Sequence, residues 1–460
     1  MNVVFCYHST DYEYHLGIAT LAAALEPLHT TTSLVIYREL VTETSRDTVE
    51  DTVDRILVKN PDIVAFSVMT FNWRKIQKVI KLLRPSFSGL IVVGGCHAML
   101  CPEEVLAFPG VDAVCPGEGE KPLRDLVQMA QRYSLQELPD IEGLYFSQDA
   151  GKNMSRPWCN EHPEDFPYLS YEIFDQERNK PMGKRVTGPF SFAGLNILPA
   201  ITSRGCPYKC TYCNNHSFMN LFGPQRFIRT FSVPWVVSQI KALVHTYHPE
   251  FIDFMDEMFL KGKPWMLEFC SQYNRDIGLP YSINVRIDRC TEDIVRLLAD
   301  SGLKLVLFGL ECGDETYRSQ FLNRHMSNAD ILRGADILRK YGILIISFNM
   351  FGLPLETPEI MAKTFELNRQ LQPDAIAPFI YQPMPQTPLG RLAFEHGLVQ
   401  DPPEDHWDYL VPALDSEVLP AGYVQEQVEL FRQEFNSPEH ILAVTNKMRT
   451  FTGKEPWQSL

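Results

Sequence analysis

Three cysteines in the middle of the chain are the residues best suited to chemistry. Cys206, Cys210 and Cys213 have the spacing C-x3-C-x2-C. A loop of that length can direct three thiolates to one face of a [4Fe–4S] cluster, whereas cluster sites normally use four cysteines. No fourth cysteine follows at a matching distance. The spacing therefore predicts a cluster with one open iron, at which a small molecule carrying an amine and a carboxylate can chelate.

Two alternatives remain open from the loop alone. Zinc sites favour paired C-x2-C units with further cysteines or histidines downstream. His216 follows the third cysteine closely and would be the fourth ligand of such a site. Three unrelated core cysteines are the other alternative. The position of the loop directly after a hydrophobic strand favours the cluster.

A second group of polar residues ends the predicted strands of the C-terminal half. From residue 197, strands and helices alternate through about six units, too few for a closed eight-fold barrel, so we predict an open partial barrel. Barrel chemistry lies at the carboxyl ends of strands. The candidates at those ends are Asp256, Glu257, Arg286, Glu311, Cys312, Ser347 and Asn349. For each, the alternative is a side chain that only closes the barrel mouth.

Their types suggest different roles. Glu311 can meet an amine or ribose hydroxyls, and Arg286 suits a carboxylate through bidentate hydrogen bonds. Ser347 and Asn349 alternate along the fifth strand and are predicted to line a nucleoside. Cys312 is the one cysteine outside the loop for which we consider a catalytic radical or redox role.

The N-terminal part also alternates strands with helices, which predicts an α/β fold with a doubly wound, flavodoxin-like parallel sheet. Such sheets bind ligands at the carboxyl ends of their strands. Glycines there let the backbone approach a bulky nucleotide tail, and hydroxyl groups can bond its phosphate and ribose. The candidate cofactor-binding residues at these ends are Ser67, Thr70, Gly94, Gly95, Gly117 and Glu118. Simple turn chemistry is the alternative.

Composition excludes several classes of function. The chain has 460 residues, 45% of them hydrophobic and 22% charged, as in a globular protein of two or three domains. A net charge of −15 argues against general nucleic-acid binding. No apolar stretch is long enough to span a membrane. Eleven cysteines and no basic n-region at the start predict a reducing, cytoplasmic location.

The cysteine loop, with Tyr212 before its third cysteine, resembles that of the radical S-adenosylmethionine (SAM) superfamily. The resemblance implies that the open iron holds SAM and that reduction cleaves SAM to methionine and a 5′-deoxyadenosyl radical. It implies a SAM-contacting carboxylate at Glu311 and the SAM amine near Asp256 and Glu257. The run G-L-P-L-E-T at 352–357 resembles a family turn, with Leu355 where the family has glycine. We expect this change to matter little if φ is negative there.

The N-terminal sheet resembles the cobalamin-binding domain of the B12-dependent branch of that superfamily. The resemblance rests on residues 16–25, 67–70, 94–97 and 117–120, and it implies bound cobalamin. No D-x-H-x-x-G stretch is present, so the histidine that ligates cobalt in other B12 enzymes is missing. For His97, a hydrogen-bonding role is favoured over cobalt ligation.

The predicted domains are a cobalamin-binding domain at 1–135, a connector at 136–195, a partial barrel at 196–390 and a C-terminal cap at 391–460. The connector contains prolines and aromatics around residues 165–170 and the run G-P-F-S-F at 188–192. The cap contains Trp407, Tyr409 and a helix near 425–435, and we expect it to cover the barrel mouth.

Together these features predict a cobalamin-dependent radical SAM enzyme, in the first place a methyltransferase. Its substrate would be an unactivated carbon, or phosphorus, of a small molecule, peptide or lipid. A flavodoxin- or ferredoxin-type protein would be the reductant. One alternative is a cyclase or ring-rearranging enzyme that shares both domains but transfers no methyl group. A carrier or sensor that binds an iron–sulfur cluster or B12 without turnover is the non-enzymatic alternative.

Overall fold

Two parallel sheets organise the chain. The computed structural model describes residues 1–9, 15–38, 47–135, 137–149, 151, 154, 162–176, 194–399 and 411–455. The chain divides into one unit at Met1–Met182 and a second at Gly183–Leu460. The connector run at 188–192 and the tail residues Trp407 and Tyr409 lie outside the described residues. No helix of the described part is long and apolar enough to cross a bilayer.

The first unit is a doubly wound sheet, as predicted. Its strands are β1 (Asn2–Ser9), β2 (Thr31–Arg38), β3 (Ile63–Ser67), β4 (Leu90–Gly94), β5 (Ala113–Val114) and β6 (Tyr145–Phe146). Its helices are α1 (Leu16–Leu25), α2 (Val49–Val58), α3 (Trp73–Leu83), α4 (Cys96–Leu100), α5 (Pro102–Ala107), α6 (Glu120–Ala130) and α7 (Glu172–Asp175). The strand order is β2-β1-β3-β4-β5-β6, parallel except for β6. The order reverses between β1 and β3, and ligands of such sheets bind at that switch point.

Hydrophobic pattern explains this layering. All five residues of β3 are buried, because helices cover both faces of a parallel sheet. In α3, Ile76, Val79, Ile80 and Leu83 recur at helical spacing and join the core. Part of the predicted connector also packs here, since Phe166 lies against Ala24.

The second unit is built on a six-stranded parallel sheet in the order β7-β10-β11-β12-β13-β14. Its elements are β7 (Ile197–Ala200), β8 (Ser203–Arg204), α8 (Asn214–Phe222), α9 (Pro224–Phe227), β9 (Arg229–Thr230), α10 (Val233–Tyr247), β10 (Phe251–Phe254), α11 (Lys263–Asp276), β11 (Tyr281–Val285), α12 (Glu292–Asp300), β12 (Leu303–Glu311), α13 (Glu315–Gln320), α14 (Asn328–Lys340), β13 (Leu344–Phe351), α15 (Pro358–Leu371), β14 (Ala375–Ile380), α16 (Pro388–Glu395), α17 (Ala421–Phe435) and α18 (Pro438–Phe451). In the described residues β7 and β14 form edges and do not pair with each other, so the predicted open partial barrel is confirmed.

The two faces of this sheet are distinguished by what covers them. On the inner face, Leu305, Leu307, Leu344 and Ile346 form one apolar cluster. On the outer face, Phe351 packs with residues of α15 and α17. Successive residues of a strand point to opposite faces. The face of a further residue in a regular stretch of the same strand therefore follows from its spacing to these packed residues.

The C-terminal helices pack against the two faces of this sheet. Val444 and Met448 of α18 pack against Leu305 and Leu344, near the amino ends of β12 and β13. Helix α17 packs on the outer face beside β14. The apolar amino end of the inner face needs covering, and the amphipathic α18 covers it. Helices α17 and α18 thus have other packing partners, whereas Leu398 and Leu414 of the same predicted segment pack with Cys312 and Leu353 after the strand ends, and a cap over the barrel mouth stays a prediction.

The turn after β13 tests the condition that the sequence set for Leu355. Leu355 has φ of +62°, in the left-handed region where a side chain is strained. The sequence predicts little effect of the leucine only for a negative φ, and that condition is not met. The backbone keeps the conformation that glycine favours, and Leu355 is strained in it.

Leu355→Gly is expected to raise the free energy of unfolding by about 1 kcal/mol. The left-handed conformation costs a non-glycine residue roughly 1–3 kcal/mol, and the entropy of glycine offsets part of the gain. Leu355 is 42% exposed, so little packing is lost. Urea unfolding measures the change, with Leu355→Ala as the control that keeps the strain. Equal stability of the two variants would contradict the assignment.

Candidate active site

The cysteine loop connects β8 to α8. Gly205 has φ of +81°, and a Cβ there would lie 2.3 Å from the carbonyl oxygen of Phe227. Only glycine fits this close approach. Cys206, Cys210 and Cys213 follow, and Cys213 is the N-cap of α8. The loop geometry thus brings three thiols together at the start of a helix.

The donor set fits a cluster better than a single zinc ion. Within the described residues, the loop thiols and His216 do not converge to within 4.8 Å of one another, which one small ion would need. A cluster tolerates wider spacing because each thiolate binds a different iron. The thiols still influence each other, since charge on Cys210 raises the pKa of both others. Burial is the larger cause, and it raises the pKa of Cys206 to about 11 and of Cys213 to about 12.

A second segment, residues 321–324, holds this loop in place. The Thr211 amide donates to the Leu322 carbonyl at 3.2 Å, and its hydroxyl donates to the Phe321 carbonyl. The Asn323 amide group donates to the Lys209 carbonyl at 2.7 Å. The cysteine loop is therefore bonded through Lys209 and Thr211 to the connection that follows α13.

The partly buried Tyr212 and the buried Glu311 and Arg324 form a polar group beside the cysteines. The Tyr212 hydroxyl donates to Glu311 Oε1 at 2.9 Å, and Arg324 Nη1 donates to the same hydroxyl at 3.2 Å. Arg324 Nη1 also lies 3.6 Å from Cys210 Sγ. Burial disfavours the charged guanidinium, but Tyr212 and Glu311 hold the pKa of Arg324 above its ordinary value. Burial raises the pKa of Glu311.

Glu311 is placed by strained backbone. Its φ is +67°, and the pairing of β12 with β13 shifts register between Gly309 and Glu311. A Cβ on Gly309 would lie 1.9 Å from Glu311 Oε1, so the glycine makes room for the carboxylate. Strain of this kind is found at functional sites. The structure therefore keeps Glu311 as a candidate, as predicted from the strand end.

Asp256 and Glu257 are neighbours with different environments. Asp256 is fully buried and accepts hydrogen bonds from the Thr202 amide, the Ser203 hydroxyl and Lys261 Nζ. Because its carboxylate oxygens already accept these hydrogen bonds, Asp256 is poorly placed to meet a ligand amine as predicted. Asp256 instead anchors the start of the cysteine loop.

Glu257 is the member of that pair open to a ligand. Its side chain is exposed, and its charge acts on Cys206 and Cys213. Desolvation by the surrounding protein, with the adjacent Asp256 carboxylate, raises the pKa of Glu257 to about 7. It remains a candidate for an amine contact.

Arg286 is occupied by the protein itself. Its Nε donates to Asp288 Oδ1 at 3.0 Å, and its Nη2 donates to the His325 carbonyl at 3.1 Å. The guanidinium lies 4.3 Å from the ring centroid of Tyr208, in the cysteine loop. The predicted carboxylate contact is thus already made within the chain, and Arg286 supports the loop.

Ser347 and Asn349 lie on the face opposite to the predicted one. The Ser347 hydroxyl donates to Asn368 Oδ1 at 2.7 Å, and Asn368 Nδ2 donates to Asn349 Oδ1 at 2.8 Å. Asn368 belongs to α15, on the outer face. The expectation that the two residues line a nucleoside is therefore wrong in register, because a shift of one residue reverses the face.

Cys312 is packed in the protein interior. Its exposure is 0%, and its neighbours include Tyr317, Met350 and Leu353. Burial raises the pKa of its thiol to about 12. A thiolate is therefore strongly disfavoured, and nothing in its surroundings distinguishes it from a core cysteine.

Arg324 is the functional candidate that sequence reasoning missed. It lies outside the strand ends, and it reaches the site because the chain turns back after α13. The only signal in the sequence is a cation shortly after the Glu311 strand end. That signal is weak, since Arg318 in α13 is nearer to that strand end and is fully buried among carbonyls.

The predicted cofactor edge of the first unit has small residues at its strand ends. Gly95 has φ of +95°, and a Cβ there would lie 2.7 Å from the backbone of Val68. Ser67 Oγ lies 3.1 Å from His15 Nε2, and burial lowers the pKa of His15 to about 4. His15 was not predicted. Gly94 is the last residue of β4, and Gly117 and Glu118 follow β5 at the same edge. Glycines and a hydroxyl on neighbouring strand ends fit a bulky nucleotide-like cofactor.

His97 lies at this edge as well. Its Nδ1 is 3.3 Å from the Thr70 hydroxyl, and its ring packs 5.6 Å from that of Trp73. This placement agrees with the hydrogen-bonding role that the sequence favoured.

Comparison with protein families matches both units. Residues 4–127 match the B12 binding domain, and residues 200–367 match the Radical SAM superfamily. An uncharacterized methyltransferase of Pyrococcus horikoshii is 24% identical over 84% of this chain and 79% of its own. The anaerobic magnesium-protoporphyrin IX monomethyl ester cyclase of Rubrivivax gelatinosus is 24% identical over 86% of this chain and 69% of its own.

A solved structure shares the arrangement of elements. The radical S-adenosylmethionine methyltransferase TsrM from Kitasatospora setae, with cobalamin and a [4Fe–4S] cluster bound, covers 92% of this chain and 84% of its own. The TM-score is 0.62 at 15% identity. At this identity the likeness establishes the fold alone.

Proposed function

Since the chain is a cobalamin-dependent radical SAM enzyme, with a B12-binding domain followed by a radical SAM domain, we propose that it methylates an unactivated carbon, or phosphorus, of a small molecule. The observation that carries the proposal is the loop with three cysteines beside the Tyr212–Glu311–Arg324 group. A methyltransferase among the relatives supports methyl transfer over other outcomes.

Each bound group has residues suited to hold it. Cys206, Cys210 and Cys213 would hold the cluster, and the edge with Ser67 and Gly95 would hold cobalamin. When bound, these cofactors supply a 5′-deoxyadenosyl radical from SAM and a carrier for the methyl group.

The chain's own residues would orient SAM. Arg324 Nη1 lies 3.6 Å from Cys210 Sγ, and its Nη2 donates to the Gly309 carbonyl. Through donor positions that these contacts leave open, the guanidinium would bind the carboxylate of a SAM whose amine and carboxylate chelate iron. Glu257 is exposed beside the other two cysteines and would accept hydrogen bonds from the amine. Glu311 would accept from ribose hydroxyls or the amine, and Tyr212 holds it in position at 2.9 Å.

A second candidate function is ring formation without methyl transfer. The specific observation in its favour is the relative named as a cyclase, which matches 86% of this chain. The two reactions differ in their products. Methyl transfer consumes a second SAM and yields S-adenosylhomocysteine, whereas cyclisation yields none.

The test is an assay of anaerobically purified protein containing cluster and cobalamin, with SAM and a strong chemical reductant. Methyl transfer predicts both 5′-deoxyadenosine and S-adenosylhomocysteine, with a methylated product once the substrate is present. Formation of 5′-deoxyadenosine with substrate turnover but no S-adenosylhomocysteine would favour the cyclase. Absence of both nucleosides from protein with a complete cluster would leave a carrier or sensor.

We also propose the partners and the location. A flavodoxin- or ferredoxin-type protein would supply the electron, and the net charge of −15 disfavours nucleic acid as substrate. The ten cysteines of the described part form no disulfide, which fits a reducing cytoplasm.

Ser347→Ala distinguishes the observed position of Ser347, on the outer face beside α15, from the predicted position lining a nucleoside. The variant removes a hydroxyl that donates to the buried Asn368, so the free energy of unfolding should fall by about 1–3 kcal/mol. The KM for SAM should stay unchanged, because the residue faces α15. Urea unfolding and SAM-cleavage kinetics measure the two. A raised KM with unchanged stability would restore the nucleoside role.

A further inference from the structure

A cluster of possible metal ligands lies in the first unit, apart from the cysteine loop. His97, Cys101 and Glu104 each offer one ligand atom, and the three atoms lie within 4.8 Å of one another. His97 Nε2 is 3.6 Å from Glu104 Oε1. That distance is too long for a hydrogen bond but matches two ligands of one tetrahedral ion.

The backbone creates this convergence. Helix α4 ends and α5 begins at Cys101, which has non-helical φ of −132° and ψ of 53°. Pro102 starts the new helix and enforces the break. The break turns the side chains at positions 97, 101 and 104 toward one point.

The key atom is the unused nitrogen of His97. The His97 side chain is buried, with a residue exposure of 4%. Its Nε2 has no hydrogen-bond partner, although a buried polar atom without a partner is costly. Its Nδ1 lies 3.3 Å from the Thr70 hydroxyl, which can accept the Nδ1 proton and leave the Nε2 lone pair directed at the cluster.

The surroundings resemble the outer shell of a metal site. Ligating histidines usually donate their other nitrogen to an oxygen, and ligating carboxylates are themselves hydrogen-bonded. Thr70 meets the first condition. Trp73 Nε1 donates to Glu104 Oε1 at 3.0 Å and meets the second. Both ligands are thus held in orientation by side chains outside the cluster.

We propose that His97, Cys101 and Glu104 bind a zinc ion, with water as the fourth ligand. Nitrogen, thiolate and carboxylate together are the donors that zinc takes, whereas calcium and magnesium take oxygen alone. Three protein ligands leave one position open for exchange. None of these ligands lies in the cysteine loop, although His97 contacts Thr70 at the strand-end edge proposed to hold cobalamin.

The test uses the full chain with Cys206→Ala, Cys210→Ala and Cys213→Ala, so that the loop cannot take up zinc. Zinc is titrated against a competing chelator, and Co²⁺ is added as a spectroscopic probe. We expect one ion per chain and a thiolate-to-cobalt charge-transfer absorption. Cys101→Ser should remove that absorption, and Glu104→Gln should weaken zinc binding at least about tenfold.

The controls keep the result interpretable. Cys96→Ser alters a neighbouring cysteine outside the cluster and should change neither signal. In Glu104→Gln the amide oxygen can still accept the hydrogen bond from Trp73, and the side chain is exposed, so folding should be unaffected. This variant therefore tests the carboxylate as a zinc ligand even if Cys101→Ser disturbs folding. The proposal would be overturned if the parent protein without loop cysteines retained no zinc. It would also be overturned if the Cys101→Ser and Glu104→Gln proteins bound zinc as tightly as that parent.

Discussion

Cys213→Ala is expected to abolish reductive cleavage of SAM, lowering 5′-deoxyadenosine formation by at least about a thousandfold. Three thiolates act as a unit on one cluster, so the loss of one removes the activity of all three. Cys213 is also the N-cap of α8, which places its sulfur at the base of the loop. The measurement is the rate of 5′-deoxyadenosine formation after anaerobic reconstitution, together with iron and sulfide content.

Two other cysteines provide matched controls. Cys270 is 2% exposed and Cys312 is 0% exposed, and both pack in the core of the second unit. Cys270→Ala and Cys312→Ala should leave the cluster content unchanged and cost only stability. Loss of SAM cleavage in Cys312→Ala with a complete cluster would revive the catalytic role considered from the sequence. Full activity in Cys213→Ala would exclude the cluster assignment.

Arg324→Lys is expected to raise the KM for SAM by about 30- to 140-fold, the equivalent of roughly 2–3 kcal/mol, the strength of a hydrogen bond to a charged group. Lysine keeps the charge but loses the planar guanidinium, whose separate donors can reach a carboxylate while also contacting Tyr212 and the Gly309 carbonyl. Steady-state kinetics of SAM cleavage measure the effect.

Arg318→Lys is the control for Arg324. Arg318 is also a buried arginine, in α13 just before residues 321–324, but its donors go to the carbonyls of Cys312 and Met326 and to Asn328 Oδ1. Its substitution should lower stability and leave the KM for SAM unchanged. Similar KM changes in both variants would mean that Arg324 acts only through folding.

The sheets were predictable because both halves alternate buried strands with amphipathic helices. Runs such as β3, buried along its length, identify parallel sheets with helices on both faces. The sequence also predicted the thiol loop, since its spacing is local. Glu311 was predictable from the rule that barrel chemistry follows strand carboxyl ends.

What failed depended on features that sequence spacing does not determine. Ser347 and Asn349 alternate correctly, but the face they occupy depends on which residues meet α15, and one residue of shift reverses it. Asp256 lies just after the end of β10, yet its oxygens already accept hydrogen bonds from Thr202 and Lys261. Arg324 approaches Cys210 only because residues 321–324 fold back onto the loop. Leu355 retains a left-handed φ that its residue type disfavours.

Because the cysteine loop is hydrogen-bonded to residues 321–324, a bound cluster would stabilise the local fold as well as take part in the reaction. The Thr211 amide and hydroxyl both end on this segment, which also supplies the guanidinium beside Cys210. A cluster bound by the three cysteines would restrain the loop and, through these hydrogen bonds, residues 321–324 as well, so its loss would loosen the segment that positions Arg324. Oxidative damage should thus register as faster amide exchange at Leu322 and Arg324, two residues that bind no iron.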